Sequence, residues 1–214
     1  MSSLRITEIF YSLQGEARTV GLPTVFVRLT GCPLRCSYCD TAYAFHGGTV
    51  QSLDSIIEQV MSWQPRYVTV TGGEPLAQPE CRNLLAHLCE LGLSVSLETS
   101  GALPIENIDP RVSVVMDLKT PSSDEVHRNL YENIALLKPN DQLKFVIGSE
   151  EDYQWSRFKL DEYRLNEKVS DVLFSPCHKL LSPTQLADWI VRDRLPVRMQ
   201  LQLHKLLWNE EAGR

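Results

Sequence analysis

The sequence predicts an α/β fold carrying about six to seven mostly parallel strands. Three observations lead there. Apolar, β-branched runs alternate with helix-periodic stretches along most of the chain. Polar motifs recur at the C-terminal ends of the strand candidates, the rim where α/β barrels and open sheets bind ligands. No repeat, low-complexity tract or Gly/Ser linker interrupts the alternation, so residues 1–214 read as a single domain long enough to bury its own core.

The elements follow in order. A hairpin-like stretch, MSSLRITEIFYSLQGEA, precedes the first strand candidate PTVFVRLT (23–30). SLDSIIEQVMSW (52–63) has helical spacing, with Ser52 placed as N-cap and Asp54 in the first turn. RYVTVTG (66–72) is the second strand. In PECRNLLAHLCELG (79–92), Cys81, Leu84, Leu85, Leu88 and Cys89 share one apolar face, which makes these two cysteines core thiols. Strands VSLETSG (95–101) and VSVVMDLK (112–119) come next, then a polar loop over 120–132 and a helical ENIALLK (132–138). QLKFVIGS (142–149), helical YQWSRFKLDEYRL (153–165) and DVLFS (171–175) follow. A helix over PTQLADWIVRD opens in cap-then-proline order at Ser182-Pro183, and VRMQLQLH (197–204) is the last strand candidate.

Hydrophobic residues at 43% and charged residues at 22% describe a soluble globular chain. A net charge of −6 argues against an extended nucleic-acid surface, which needs clustered Lys and Arg. A small-molecule substrate fits better. No apolar run approaches the roughly 20 residues that cross a bilayer, and the N-terminus lacks the pattern of an export signal. The expected location is the cytoplasm, where thiols stay reduced and clustered cysteines hold metal rather than disulfides.

Cys32, Cys36 and Cys39 in GCPLRCSYCD are spaced C-x3-C-x2-C after the first strand. Three thiolates are one too few to close a [4Fe-4S] cluster, so one iron would be free to bind a non-protein group. The rival is a structural zinc site with His46 or Cys177 as fourth ligand, although zinc sites usually show paired C-x2-C knuckles. After the second strand comes Gly72-Gly73-Glu74-Pro75. It reads either as an ordinary strand-to-helix turn or as a turn that brings backbone and a carboxylate to a ligand ammonium group.

A C-x3-C-x2-C loop followed by GGEP resembles the radical S-adenosylmethionine superfamily. FYSLQGEA (10–17), Arg28 in FVRLTGC, Cys39-Asp40-Thr41, ETSG (98–101) and QLHK (202–205) further resemble the 7-carboxy-7-deazaguanine synthase family. The resemblance covers most of the chain and implies a partial, open TIM-like (βα) barrel, usually a homodimer. It also implies conversion of 6-carboxy-5,6,7,8-tetrahydropterin to 7-carboxy-7-deazaguanine with loss of ammonia, on the route to queuosine. The implied cofactors are a [4Fe-4S] cluster, S-adenosylmethionine and Mg2+, with electrons from a flavodoxin- or ferredoxin-type donor.

Carried over residue by residue, the resemblance makes Cys32, Cys36 and Cys39 the cluster ligands and Thr41 the Mg2+ contact. Tyr38, Cys39, Asp40, Gly73, Glu74 and Gly101 lie at the cofactor, with Lys119 and Ser175, Pro176, Cys177 and His178 as weaker matches. Leu13, Gln14, Gly15, Glu16, Arg28, Thr99 and His204 face the substrate. Bland readings stand beside these: Arg28 pairing with a structural acid, LQG as a simple turn, Thr41 as an N-cap, His204 as a structural histidine. A glycyl-radical-enzyme activating enzyme is the enzymatic alternative and a zinc-stabilised binding module the non-enzymatic one. Two departures from the family stand out. LQGEA replaces the usual LQGEG, which should alter the turn slightly, and the polar tail NEEAGR puts any pocket contact by the terminus in doubt.

Overall fold

Antiparallel pairing opens the chain. In the computed structural model, which describes residues 2–209, 211 and 213, β1 (Ser3–Leu13) turns back on β2 (Pro23–Leu29) and also pairs with the short β3 (Thr49–Ser52). The remainder is βα units: α1 (Leu53–Met61), β4 (Tyr67–Gly72), α2 (Cys81–Glu90), β5 (Ser94–Thr99), β6 (Ser113–Asp117), β7 (Gln142–Ile147), α3 (Glu150–Glu162), β8 (Asp171–Pro176), α4 (Pro183–Asp193), β9 (Arg198–Met199) and α5 (Leu203–Trp208). One nine-stranded sheet runs β3-β1-β2-β4-β5-β6-β7-β8-β9, and every pair from β2 to β9 is parallel. Among the described residues no helix is long and apolar enough to cross a membrane.

A parallel sheet covered on both faces usually reads as continuous apolar sequence. Here it alternates. In β4, Val68 and Val70 join Ile56, Val60, Leu84 and Leu88 of the covering helices in the core. The intervening Thr69 and Thr71 face the other way, as do Ser96 and Glu98 of β5. One face of the sheet is thus built for solvent or a ligand. Cys81 and Cys89 of α2 sit in the apolar core as expected.

Ser52 caps α1, its Oγ accepting from the Ser55 amide at 3.2 Å, and Asp54 occupies the first turn. Ser182 makes no such bond, so α4 starts on Pro183 alone. ENIALLK forms 3-10 turns over Tyr131–Leu136 rather than an α-helix. It is short, it runs into Lys138-Pro139, and the Asn133 side chain is committed to Ile105 N, Gly101 O and Leu103 O. The 120–132 loop contains two further 3-10 turns and buries Thr120 and Ser123.

VRMQLQLH departs most. Only Arg198–Met199 pairs with β8, and His204 lies on α5, not on a final strand. Gln200 still donates its backbone amide to Phe174 O of β8, and beyond it the chain leaves the sheet edge as the Gln200 and Gln202 side chains bond the Glu16–Ala17 turn.

Candidate active site

A cavity of about 960 Å³ opens on the polar face of the sheet, near the upper end of the range typical of ligand pockets. Its walls are layered by strand register. In the deeper layer Gln14 Nε2 donates to Thr69 Oγ1 at 2.9 Å, and the Thr69 and Ser96 hydroxyls are 2.8 Å apart. Two residues further along the parallel strands, Arg28 lies in register with Thr71, whose hydroxyl donates to Glu98 Oε2 at 3.3 Å.

Arg28 is held from one side. Its Nε donates to Glu8 Oε1 at 2.7 Å, Tyr43 steadies the same oxygen at 2.9 Å, and the guanidinium carbon lies 5.8 Å from the Phe10 and Tyr43 ring centroids. The structural-acid reading is therefore real. The terminal Nη atoms carry no hydrogen bond among the described residues, which leaves part of the fork for an anion.

A half-buried chain of ion pairs crosses the cavity wall. Lys144 Nζ lies 2.8 Å from Glu16 Oε2 and 3.7 Å from Asp117 Oδ2; Lys119 Nζ lies 3.0 Å from the same Asp117 oxygen. Burial alone would raise the Glu16 carboxyl, but the Lys144 charge and its hydrogen bond bring it below the ordinary value. Burial likewise pushes Lys144 down, while Glu16 and Asp117 lift it well above the usual lysine range. Lys119 is raised in the same way by Asp117. Sequence reasoning missed Lys144, and it placed Glu98 and Asp117 only within the rim motifs ETSG and DLKT, with no role of their own. The signal was present in SLET and QLKF, where a charged residue interrupts an apolar parallel strand.

Cys32, Cys36 and Cys39 are free, partly exposed thiols that line this cavity. They fit a cluster. Three thiols on one loop facing one cavity are the donor set that leaves one iron of a [4Fe-4S] cluster open to a non-protein group. Burial raises Cys32 and takes Cys36 up to about 11, so these are not activated nucleophiles; coordination to iron removes the thiol proton outright. Gly73 lies against the loop. A Cβ there would meet the Gly31 carbonyl oxygen and come within 2.7 Å of Cys32 Cβ. Since backbone cannot yield, Gly73→Ala is expected to displace Cys32 and cut iron loading at least severalfold, read by iron and sulfide analysis against wild type.

The other residues singled out in the sequence divide. Leu13, Gln14, Gly15, Glu16, Tyr38, Asp40, Thr41, Thr99, Lys119, Ser175, Pro176, Cys177, His178 and His204 all border the cavity. Thr41 Oγ1 donates to Asp40 Oδ1 at 3.0 Å, and Thr41 precedes a short 3-10 turn without capping it. Burial takes the Cys177 thiol up to about 11 and pulls His204 below the ordinary histidine value, with Glu16 opposing the latter.

Glu74 and Gly101 do not border it. Glu74 is fully buried, and its oxygens accept from Thr99 Oγ1, the Ser100 amide and hydroxyl, and the Leu76 amide. That carboxylate clasps the ends of β4 and β5, and cannot also take a ligand ammonium group without giving up one of these donors. The Gly101 carbonyl accepts from the Leu130 amide and from Asn133.

Ala17 adopts the left-handed backbone that glycine would supply, with φ +61, so the turn keeps its shape. Its amide donates to Gln200 Oε1. Relief of the left-handed backbone by Gly, about 1–2 kcal/mol, is offset by glycine's added unfolded-state entropy and a lost buried methyl of about 0.8 kcal/mol. Ala17→Gly should thus be close to neutral. Gln200→Ala should cost about 1–3 kcal/mol in a denaturant melt, since it strands a buried amide.

The same segment binds α5. Gln202 Nε2 donates to Glu16 Oε1 at 2.8 Å and Asp40 Oδ2 at 3.2 Å, and Lys205 Nζ lies 2.7 Å from Asp40 Oδ2. Burial would raise Asp40, but Lys205 outweighs it and holds the carboxyl well below its usual range. A Cβ on Gly15 would overlap the His204 ring. Of the tail, Asn209, Glu211 and Gly213 border the cavity, while residues 210, 212 and 214 lie outside the described residues.

A partial parallel barrel with a three-cysteine loop after its first parallel strand and a glycine turn after the next defines a radical S-adenosylmethionine protein. The family described as the Radical SAM superfamily matches residues 26–136. The 7-carboxy-7-deazaguanine synthase of Chlorobaculum tepidum is 46% identical over 98% of this chain and 96% of its own length, and that of Koribacter versatilis 41% identical over 98% and 99%. The crystal structure of QueE from Escherichia coli superposes with a TM-score of 0.77 at 23% identity, covering 94% of this chain and 95% of that one, which establishes the shared fold. The chain belongs to the 7-carboxy-7-deazaguanine synthase family.

Proposed function

We propose that this protein is a radical S-adenosylmethionine lyase converting 6-carboxy-5,6,7,8-tetrahydropterin to 7-carboxy-7-deazaguanine with release of ammonia. One observation carries the reading: the cysteine loop and a substrate-sized polar wall, with Arg28 and the Gln14–Glu16 turn, share a single cavity. Cys32, Cys36 and Cys39 would hold a [4Fe-4S] cluster, with S-adenosylmethionine against Tyr38, Asp40, Gly73 and the 175–178 segment. When bound, the cluster and S-adenosylmethionine supply the radical that removes hydrogen from C6 of the pterin.

The chain's own residues then position and neutralise. The free side of the Arg28 fork takes the substrate carboxylate, while Gln14 and Glu16 hydrogen-bond the pterin edge. Thr41 would offer Mg2+ a hard oxygen. His204, with its pKa lowered by burial, meets the substrate as a neutral imidazole. The protein works as a cytoplasmic homodimer that receives electrons from a flavodoxin- or ferredoxin-type donor; full-length similarity to the synthases supports this part.

Anaerobic incubation of reconstituted protein with reductant, S-adenosylmethionine, Mg2+ and 6-carboxytetrahydropterin is expected to yield 7-carboxy-7-deazaguanine and ammonia in equal amounts. No deazapurine from iron-replete protein overturns the assignment. One zinc per chain without iron or sulfide would restore the zinc-stabilised module.

A further inference from the structure

On the sheet wall of the cavity one carboxyl stands outside the ion pairs. Lys144 pairs with Glu16, Lys119 with Asp117 and Arg28 with Glu8. Glu98 has no ion pair among the described residues, and its one hydrogen bond there is the 3.3 Å contact from Thr71. It nevertheless stands mid-wall on β5 and borders the cavity.

The groups that face it come from each neighbouring element: Arg28 from β2, Thr71 from β4, Glu16 from the turn after β1, and Lys144 from β7. β6 contributes apolar Val115 in register with it. Burial disfavours the Glu98 anion most and the Glu16 charge adds to this, while Lys144, Arg28 and Thr71 oppose; the balance raises its pKa. A half-buried carboxyl with no ion pair on a cavity wall is held less readily as the anion than a solvated one, which favours its carrying a proton. A purely structural residue here would serve better as an apolar side chain.

We propose that Glu98 is a proton-carrying catalytic residue that protonates the departing amine during ammonia release. The proposal rests on the lyase reading above. In the step, the ring C–N bond breaks with its electron pair staying on nitrogen, and the Glu98 carboxyl proton completes NH3. The carboxylate so formed then takes a proton from ring carbon as the pyrrole becomes aromatic. No oxidant or reductant is required, because the loss of ammonia is redox-neutral and the proton cycles. The carboxyl borders the same cavity as Arg28, and its Thr71 partner is in register with Arg28 on the neighbouring strand.

Glu98→Gln in the reconstituted holoenzyme is the test, since the amide keeps the size and can still accept from Thr71 but carries no transferable proton. Ammonia and deazaguanine formation should fall about 10²–10⁴-fold, the span of general acid–base catalysis. Pterin affinity and single-turnover 5′-deoxyadenosine formation should stay within about threefold. Acid quenching should trap material of substrate mass that still retains its nitrogen. The wild-type rate should decline as pH rises through the Glu98 pKa, and the variant should lack that limb.

Ammonia release within about threefold of wild type, with the limb retained, overturns the proposal. So does parallel loss of pterin binding and 5′-deoxyadenosine, which would make Glu98 a positioning residue. Thr71→Val gives an independent arm. It removes the hydrogen bond that favours the Glu98 anion, so the limb should move to higher pH, and an unmoved limb sinks the idea even if Glu98→Gln fails to fold. Wild-type enzyme that forms no deazaguanine takes the lyase reading down as well, whereas the outcomes above sink the Glu98 proposal alone.

Discussion

Replacing any one of Cys32, Cys36 or Cys39 by Ala in anaerobically reconstituted protein is expected to take iron from about four per chain to background and abolish turnover. The three thiols share one short loop and one cavity wall. Cys81→Ala and Cys89→Ala are the internal controls. Both thiols are packed in the core around α2, so these variants should keep full iron while losing about 1–2 kcal/mol of stability from the smaller side chain. Cys177→Ala should also retain iron. A first-loop variant that loads and turns over normally would show that its cysteine is not a ligand.

The second large effect belongs to Lys144. Lys144→Met removes the cation that Glu16 and Asp117 share at a half-buried site, where Asp117 keeps Lys119 and Glu16 keeps only amide donors, at a cost of about 1–3 kcal/mol. Equilibrium unfolding of the iron-free protein measures this, and adding Glu16→Gln should recover more than half of the loss. Additive losses in the double variant would show that the pair is not coupled.

The pH dependence of the pair follows from the two directions of shift. Glu16 is held below its ordinary value in the fold, so its contribution is complete above the unfolded carboxylate pKa and disappears as pH falls through the depressed one. Lys144 is held above its ordinary value, so its contribution is complete below the unfolded lysine pKa and is lost only as pH rises through the elevated one. Stability from this pair should therefore be level through neutrality and fall at both extremes. In Lys144→Met the alkaline fall should shrink.

Much of this architecture was legible because its signals are local. The VTVT and SLET alternations, the helix over 52–63 and the cysteine spacing each announce themselves within a few residues, and the sheet follows from their order. What escaped were features decided by distant partners. ENIALLK looks helical until Asn133 is seen tying down the 101–105 turn from 28 to 32 residues away in sequence. VRMQLQLH alternates like a strand, yet it leaves the sheet past Gln200, where the Gln200 and Gln202 side chains bond Glu16, more than 180 positions earlier. Glu74 shows the same limit at the site. Its place in GGEP marks a ligand turn, while its oxygens are consumed by Thr99 and Ser100 on the neighbouring strand. A carboxylate's partners cannot be read from its own motif.

The hydrogen bonds from Gln200 and Gln202 to the 16–17 turn, with Lys205 on Asp40, also set an order of events. During synthesis the sheet can assemble as far as β8 while the pocket still lacks the two amides and the ammonium group that hold its acidic groups in place. Completion waits for residues 200–205. A nascent or clipped chain would therefore have a near-native interior and an unfinished reaction vessel, so measures of folding would report success well before the chain could do chemistry.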